Sequence, residues 1–329
     1  MSRAVVLAAR PEGEPKPTDF EVRELDDGEP AEGEVLVRNV LVSVDPYMRG
    51  RMTGVRTYVP PYDIGDVIDG GAVGRVVTSR HPDFAEGDWV RSLLGWRESG
   101  VAPGDRLSAI DPAASPPSTS LSVLGYPGFT AWIGLGEIGQ IVAGETVFVS
   151  GAAGAVGSIA VQIALLRGCR VIGSAGSDEK VAWLQSLGVE AFDYGTADLR
   201  EVLKDGIDVY FDNVGGVQLE SALRALRNHG RVVACGSISR YNDTEVQPGP
   251  RNYSFVVTKR LRIQGFIVFD HNERFPEFLA EAGAWLRDGK LVYRETIVDG
   301  FDNLPSAFAG LFRGANIGKM LVRVGPDDV

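Results

Sequence analysis

Cysteine and histidine are scarce in this 329-residue sequence, which has two of the first, Cys169 and Cys235, and three of the second, His81, His229 and His271. A disulfide framework is excluded, and two small apolar-flanked cysteines fit a reducing, cytoplasmic setting. No cluster of Cys, His and carboxylate has metal-ligand spacing, so no catalytic metal is expected. His229, just before Gly230, reads as a cap at a helix end. No run approaches the roughly 18 apolar residues of a membrane-spanning helix. The N-terminus is no targeting address, and Ala4–Ala9 reads as a strand. Basic charge is also short: 33 Lys and Arg against 44 Asp and Glu give a net charge of −11, which argues against a nucleic-acid partner.

What is present divides into three regions. Up to about residue 120 the elements are short, strand-like and broken by Pro and Gly, as at 34–40, 71–77 and 89–90. That is a barrel or sandwich pattern. The Pro- and Ser-rich stretch 111–119 is a linker candidate. Beyond it, strands at 146–150, 170–174, 191–194, 207–212, 231–235 and 261–266 alternate with helices. This is the rhythm of βαβ units around a parallel sheet. The helix at 155–167 is apolar on nearly all faces, and the helix at 178–187 has Ser177 as N-cap and Gly188 at its close. Residues 296–324 return to short elements and rejoin the first region.

Two motifs carry chemistry. Gly151, Gly154 and Gly157 follow the first of these strands and open a helix. Glycines there let backbone approach a pyrophosphate, and the helix N-terminus offers it unpaired N–H groups. The second strand ends Ser174-Ala175-Gly176-Ser177, with no carboxylate to hold a ribose 2′-hydroxyl. A 2′-phosphate has room there, and Lys180 is one turn away to pair with it. The cofactor read from the residues is therefore NADP(H), on a Rossmann domain.

Further segments carry a resemblance: VSVDPYMRG at 42–50, VSGAAGAVG at 149–157, AGSDEK at 175–180, FDNVGG at 211–216, CGSISRYN at 235–242, GFIV at 265–268 and GANIGK at 314–319. They run in order along almost the whole chain. The sequence resembles the zinc-independent medium-chain dehydrogenase/reductases, and within them the leukotriene B4 12-hydroxydehydrogenase/prostaglandin reductase family of NADPH-dependent alkenal and enone reductases.

The resemblance implies an α/β chain in which a doubly wound Rossmann domain at 123–292 accompanies a GroES-like β-barrel domain at 1–122, completed by 293–329. It implies that Gly154, Ala155 and Val156 contact the pyrophosphate, while Lys180 and Tyr194 hold the adenosine phosphate. Asn213 and the loop from Cys235 through Gly236, Ser237 and Ile238 to Tyr241 would frame the ribose and nicotinamide. Phe266, Ile267, Val268 and Asn316 would complete that frame. Asn213 and Cys235 also follow from topology, because ligands collect at the carboxyl ends of an open parallel sheet.

Hydride delivered to the β-carbon of an enone leaves charge on the carbonyl oxygen, and a phenol from Tyr241 or Tyr47 can donate to it. The substrate is then a small enone or alkenal. Quinone reduction and non-catalytic NADP(H) sensing remain alternatives on the same scaffold. The sixth strand, near 261–268, is expected toward a sheet edge with an apolar run, where the resembling family forms a homodimer.

Overall fold

Short runs rich in valine and leucine build the first part of the chain. The computed structural model describes residues 1–326. Strand β1 (Ser2–Leu7) pairs antiparallel with β2 (Phe20–Leu25). Strand β3 (Glu34–Ser43) runs into α1 (Tyr47–Arg51), then β4 (Ala72–Ser79), β5 (Trp89–Ser92), β6 (Ser99–Pro103) and β7 (Ser108–Ile110). β3 is antiparallel to both β4 and β6, and β5 links β4 to β7. The 111–119 stretch is more than a linker. It leads into a 3-10 turn, Pro117–Leu121, that buries Ser118, Thr119 and Leu121, and Leu121 packs with Val73 and Leu321.

The parallel sheet comes next. Helix α2 (Tyr126–Ile133) continues into a π turn at Gly134–Ile138. Then follow β8 (Thr146–Val149), α3 (Gly157–Leu166), β9 (Arg170–Ala175), α4 (Asp178–Ser186) and β10 (Glu190–Asp193). The second half is α5 (Leu199–Val202), β11 (Ile207–Asp212), α6 (Gly216–Ala225), β12 (Leu226–Ala234), α7 (Ser254–Thr258), β13 (Arg262–Gly265) and α8 (Phe275–Arg287). The six strands are all parallel, in the order β10-β9-β8-β11-β12-β13. That is the doubly wound Rossmann order, with its switch point between β8 and β11. All four residues of β8 and five of the six in β11 are buried, as strands covered on both faces must be.

Local signals agree with the helices. Ser177 Oγ accepts the Lys180 N–H at 3.4 Å at the start of α4. Gly188, at φ +88°, donates its N–H to the Gln185 carbonyl just past the end of α4. His229 does not cap a helix. α6 passes straight into β12, and His229 lies inside that strand at φ +67°, donating its N–H to the Lys259 carbonyl. The sixth strand is at the sheet edge, but its four residues, Arg-Ile-Gln-Gly, are all exposed, and the expected apolar run is absent from it.

The last elements return to the first sheet. β14 (Glu295–Asp299) is parallel to β15 (Lys319–Arg323), α9 (Leu304–Phe312) lies between them in sequence, and β15 is antiparallel to β3. Trp96 packs against Phe20 and Phe308 with ring centroids 5.6 Å away in each case. Its buried indole N–H donates to the Ser43 carbonyl at 3.0 Å, which satisfies the one polar atom of that side chain. Two units result: Met1–Ser122 with Glu295–Val329, and Val123–Arg294. Among the described residues no helix is long and apolar enough to cross a membrane.

Gly157, at the start of α3, has no room for a side chain. A Cβ on Gly157 would come within 2.3 Å of the Gly151 carbonyl oxygen and 2.9 Å of the Ala152 Cα. Both neighbours are backbone, so the turn would have to open. Gly157→Ala should therefore cost about 1–3 kcal/mol of stability, read as a lower midpoint in urea unfolding. An unchanged midpoint would contradict this packing.

Candidate active site

The site is built from the carboxyl ends of the parallel strands. After β8, Ser150 is fully buried and donates its N–H to the Phe211 carbonyl at 3.1 Å. Gly151 turns the chain at φ +58°, a left-handed conformation that favours glycine. Its carbonyl takes the Gly154 N–H at 3.0 Å. Ala155 and Val156 then lead into α3, and among the described residues nothing accepts from their amides. These are the orphan donors of a helix start, and the dipole of α3 adds positive character beside them.

The end of β9 carries no acid. Ala175, Gly176 and Ser177 follow one another, and Gly176 passes beneath Tyr194. A Cβ on Gly176 would lie 2.8 Å from the Tyr194 hydroxyl. Tyr194 itself is half exposed and donates its N–H to the Ala175 carbonyl. Lys180 is partly buried one turn into α4, and desolvation lowers its ammonium pKa. Ser177, Lys180 and Tyr194 are thus gathered at the ends of β9 and β10.

A cleft of about 930 Å³ opens at the ends of β11, β12 and β13. Asp212, Cys235, Gly236, Ser237, Phe266 and Ile267 line it, with Arg240 and Asp270 toward its rim. Burial, followed by the charge of Asp212, pushes the Cys235 thiol up to about 12. Asn213 faces back into the fold, where its Nδ2 donates to the Ser150 carbonyl at 2.8 Å. Ile238 opens a 3-10 turn after Ser237, and Val268 opens another after Ile267. The Tyr241 hydroxyl turns toward its own loop and accepts the Ser237 N–H at 3.3 Å. Its proton is still available to donate. Burial raises the phenol pKa, so it stays protonated at neutral pH.

Tyr47 and Asn316 belong to the other unit. Tyr47 opens α1 behind Pro46. Burial first, and then the carboxylates of Asp45 and Asp69, push its phenol far above the usual range. Asp69 is paired with Arg51, and its carbonyl accepts the Tyr62 hydroxyl at 2.9 Å. The buried Lys319 ammonium pairs with Asp45 at 3.1 Å. Asn316 Nδ2 donates to the Gly318 carbonyl at 2.6 Å.

Residues 3–110 match a family model described as the N-terminal domain of oxidoreductase, and 155–284 match one described as zinc-binding dehydrogenase. The chain is 45% identical to the NADPH-dependent curcumin reductase of Escherichia coli (strain K12), over 99% of this chain and 98% of that protein. It is 40% identical to the 2-alkenal reductase (NADP(+)-dependent) of Nicotiana tabacum, over 98% of this chain and 97% of that one. A crystal structure of CurA in complex with NADPH from Vibrio vulnificus matches with a TM-score of 0.94 and 42% identity, over 98% and 99% of the two chains. The chain belongs to the zinc-independent enone reductases of the medium-chain dehydrogenase/reductase superfamily.

In this enone-reductase chain the span matching the zinc-binding model holds both cysteines, Cys169 and Cys235, and two histidines, His229 and His271. They do not converge. Among the described residues no group of three or more His, Cys, Asp or Glu is placed to hold a metal ion. One residue at the centre of the site escaped sequence reasoning. Asp212 is buried at the end of β11, in the FDNVGG segment, where only a resemblance drew notice. The available signal was a carboxylate closing a mostly apolar strand, directly before a turn containing two glycines.

Proposed function

We propose that this protein is an NADPH-dependent reductase of carbon–carbon double bonds conjugated to an aldehyde or ketone. The observation that carries the reading is the pairing of a phosphate cradle after β8 with a carboxylate-free, lysine-flanked end of β9. The unpaired amides of Ala155 and Val156, with the backbone passing close at Gly151, Gly154 and Gly157, suit a pyrophosphate. Ser177, Lys180 and Tyr194 suit a 2′-phosphate, since a phosphate dianion beside Lys180 offsets the desolvation of its ammonium. The relatives named for NADPH dependence and for 2-alkenal reduction support the same chemistry. The Val123–Arg294 unit is then the NADP(H)-binding domain and the other unit the GroES-like catalytic domain. Within the NADP(H)-binding unit, Cys235 to Ile238 and Phe266 to Val268 are proposed to frame the ribose and nicotinamide, with Asn213 fixing the loop behind them through its bond to the Ser150 carbonyl.

When bound, the cofactor supplies a hydride. The chain's own residues orient the enone and stabilise the charge that appears on its oxygen. Tyr241 is held neutral by burial and donates its hydroxyl proton to that oxygen as a hydrogen bond. NADPH consumption, followed at the reduced-nicotinamide band, should be fast with a simple enal and slow with a quinone. The reverse order would favour a quinone reductase, and no turnover with either a sensor.

The protein is further proposed to be cytoplasmic, a setting that its two free cysteines suit, and a homodimer, because β13 leaves one edge of the parallel sheet unpaired among the described residues and such edges invite a second copy. Light scattering at micromolar concentration should give twice the chain mass of 35.3 kDa; a monomer would contradict it.

Binding should favour NADPH over NADH by at least about tenfold, or about 1.4 kcal/mol. Lys180→Ala should erase most of that difference and leave NADH affinity nearly unchanged. Equal affinities in the unmodified protein would overturn the cofactor reading.

Tyr241→Phe should lower kcat on an enone by about 100-fold, the scale of losing one oxyanion donor. NADPH affinity should change much less, because the lost bond belongs to the transition state. Wild-type kcat in this variant would remove Tyr241 from the mechanism.

A further inference from the structure

Three consecutive carbonyls at the end of β11 hold the loop that follows β12. The Asp212 carbonyl accepts the N–H groups of Cys235 at 3.0 Å and Gly236 at 2.9 Å. The Asn213 carbonyl accepts the Ile238 N–H at 3.2 Å. The Val214 carbonyl accepts the Ser239 N–H at 3.2 Å and the Ser239 hydroxyl at 2.6 Å. The path of residues 235–239 is therefore copied from that of residues 212–214, and the Tyr241 hydroxyl receives an N–H from the same loop.

The 212–214 template is itself fixed by one side-chain atom. Asp212 Oδ1 accepts the Gly215 N–H at 2.7 Å, the Val214 N–H at 3.0 Å, the Tyr210 hydroxyl at 2.8 Å and, more weakly, the Ser150 hydroxyl at 3.4 Å. Gly215 is the residue before α6 and has no side chain of its own to fix the turn, so this carboxylate oxygen holds the entry to the helix from three residues back. Gly215 and Gly216 both have positive φ, +73° and +56°, a turn with little conformational preference of its own. Asp212 is buried to 3% exposure. Burial is the larger influence on its carboxyl and raises its pKa against these donors.

We propose that Asp212 is the positioning residue of the active-site cleft, acting as a hydrogen-bond acceptor and through the loop that carries Tyr241. This rests on the reading above that the 235–241 loop faces the reacting enone. All four donors converge on a single oxygen, and an amide oxygen at the same place accepts all four. Acceptance, and not negative charge, is what the position requires.

The test compares Asp212→Asn, Asp212→Ala, Tyr241→Phe and the Asp212→Ala/Tyr241→Phe double variant in the full-length protein. NADPH affinity is measured by fluorescence without substrate, and kcat on a simple enone. Asp212→Asn should stay within about threefold of wild type in both, while Asp212→Ala should lose at least about 30-fold in kcat. Adding Tyr241→Phe to Asp212→Ala should cost less than about threefold more, because residues acting through one another are not additive. Asp212→Ser, whose oxygen stops short of the Gly215 amide, replaces the alanine variant if that one does not fold.

Full kcat in the alanine or serine variant overturns the proposal. So does a loss in Asp212→Asn as large as in Asp212→Ala, or additive losses in the double variant. If the wild-type protein reduces no enone, the functional reading fails separately. Asp212 is then judged on NADPH affinity alone, expected about tenfold weaker in Asp212→Ala and unchanged in Asp212→Asn; any other pattern overturns it.

Discussion

The Gly157 backbone and the Gly151 carbonyl approach so closely that a single methyl group would fall 2.3 Å from that oxygen. This contact sets where α3 begins relative to the end of β8. Because α3 starts there, it can press almost its whole surface into the fold, with Gly157 through Ala164 all buried. Its first free amides are left at the switch point between β8 and β11, where a parallel sheet opens a crevice. A looser turn would bury less of α3 and spread those donors.

A chain with a net charge of −11 has no long-range attraction for a polyanionic dinucleotide. Recognition must then be local, through dipoles and a few well-placed donors. The helix start supplies two amides, and the end of β9 replaces the carboxylate of NAD-type sites with glycine and serine beside a partly desolvated lysine. Around the cleft at the ends of β11, β12 and β13, burial keeps the Tyr241 phenol and the Cys235 thiol protonated. Protonated groups of this kind can donate to the charge that develops on an enolate oxygen, as the proposed reduction requires.

Much of this was legible in the chain itself. The central strands of the parallel sheet, β8 and β11, read well because they are short, mostly apolar runs beside glycine or acid. The α4 boundaries read well because Ser177 and Gly188 act locally, within one turn. What escaped depends on partners far away in sequence. The bend at His229 is explained by Lys259, not by the adjacent helix, and the buried role of Ser118 and Thr119 by the sheet onto which their turn folds. The tie between Asp212 and residues 235–236 spans more than twenty positions, and no period or spacing announces it. The site's frame was therefore visible as motifs, while the bonds that hold those motifs in register were not.

Delivery of the hydride to the β-carbon is the step on which the proposed function depends. Incubating the protein with NADPH carrying deuterium at its transferable position, and a simple enone, then examining the product by NMR, answers that. The expected product is a saturated ketone with one deuterium on the former β-carbon and the carbonyl intact. Deuterium on the carbonyl carbon, with the double bond preserved in an allylic alcohol, would contradict it.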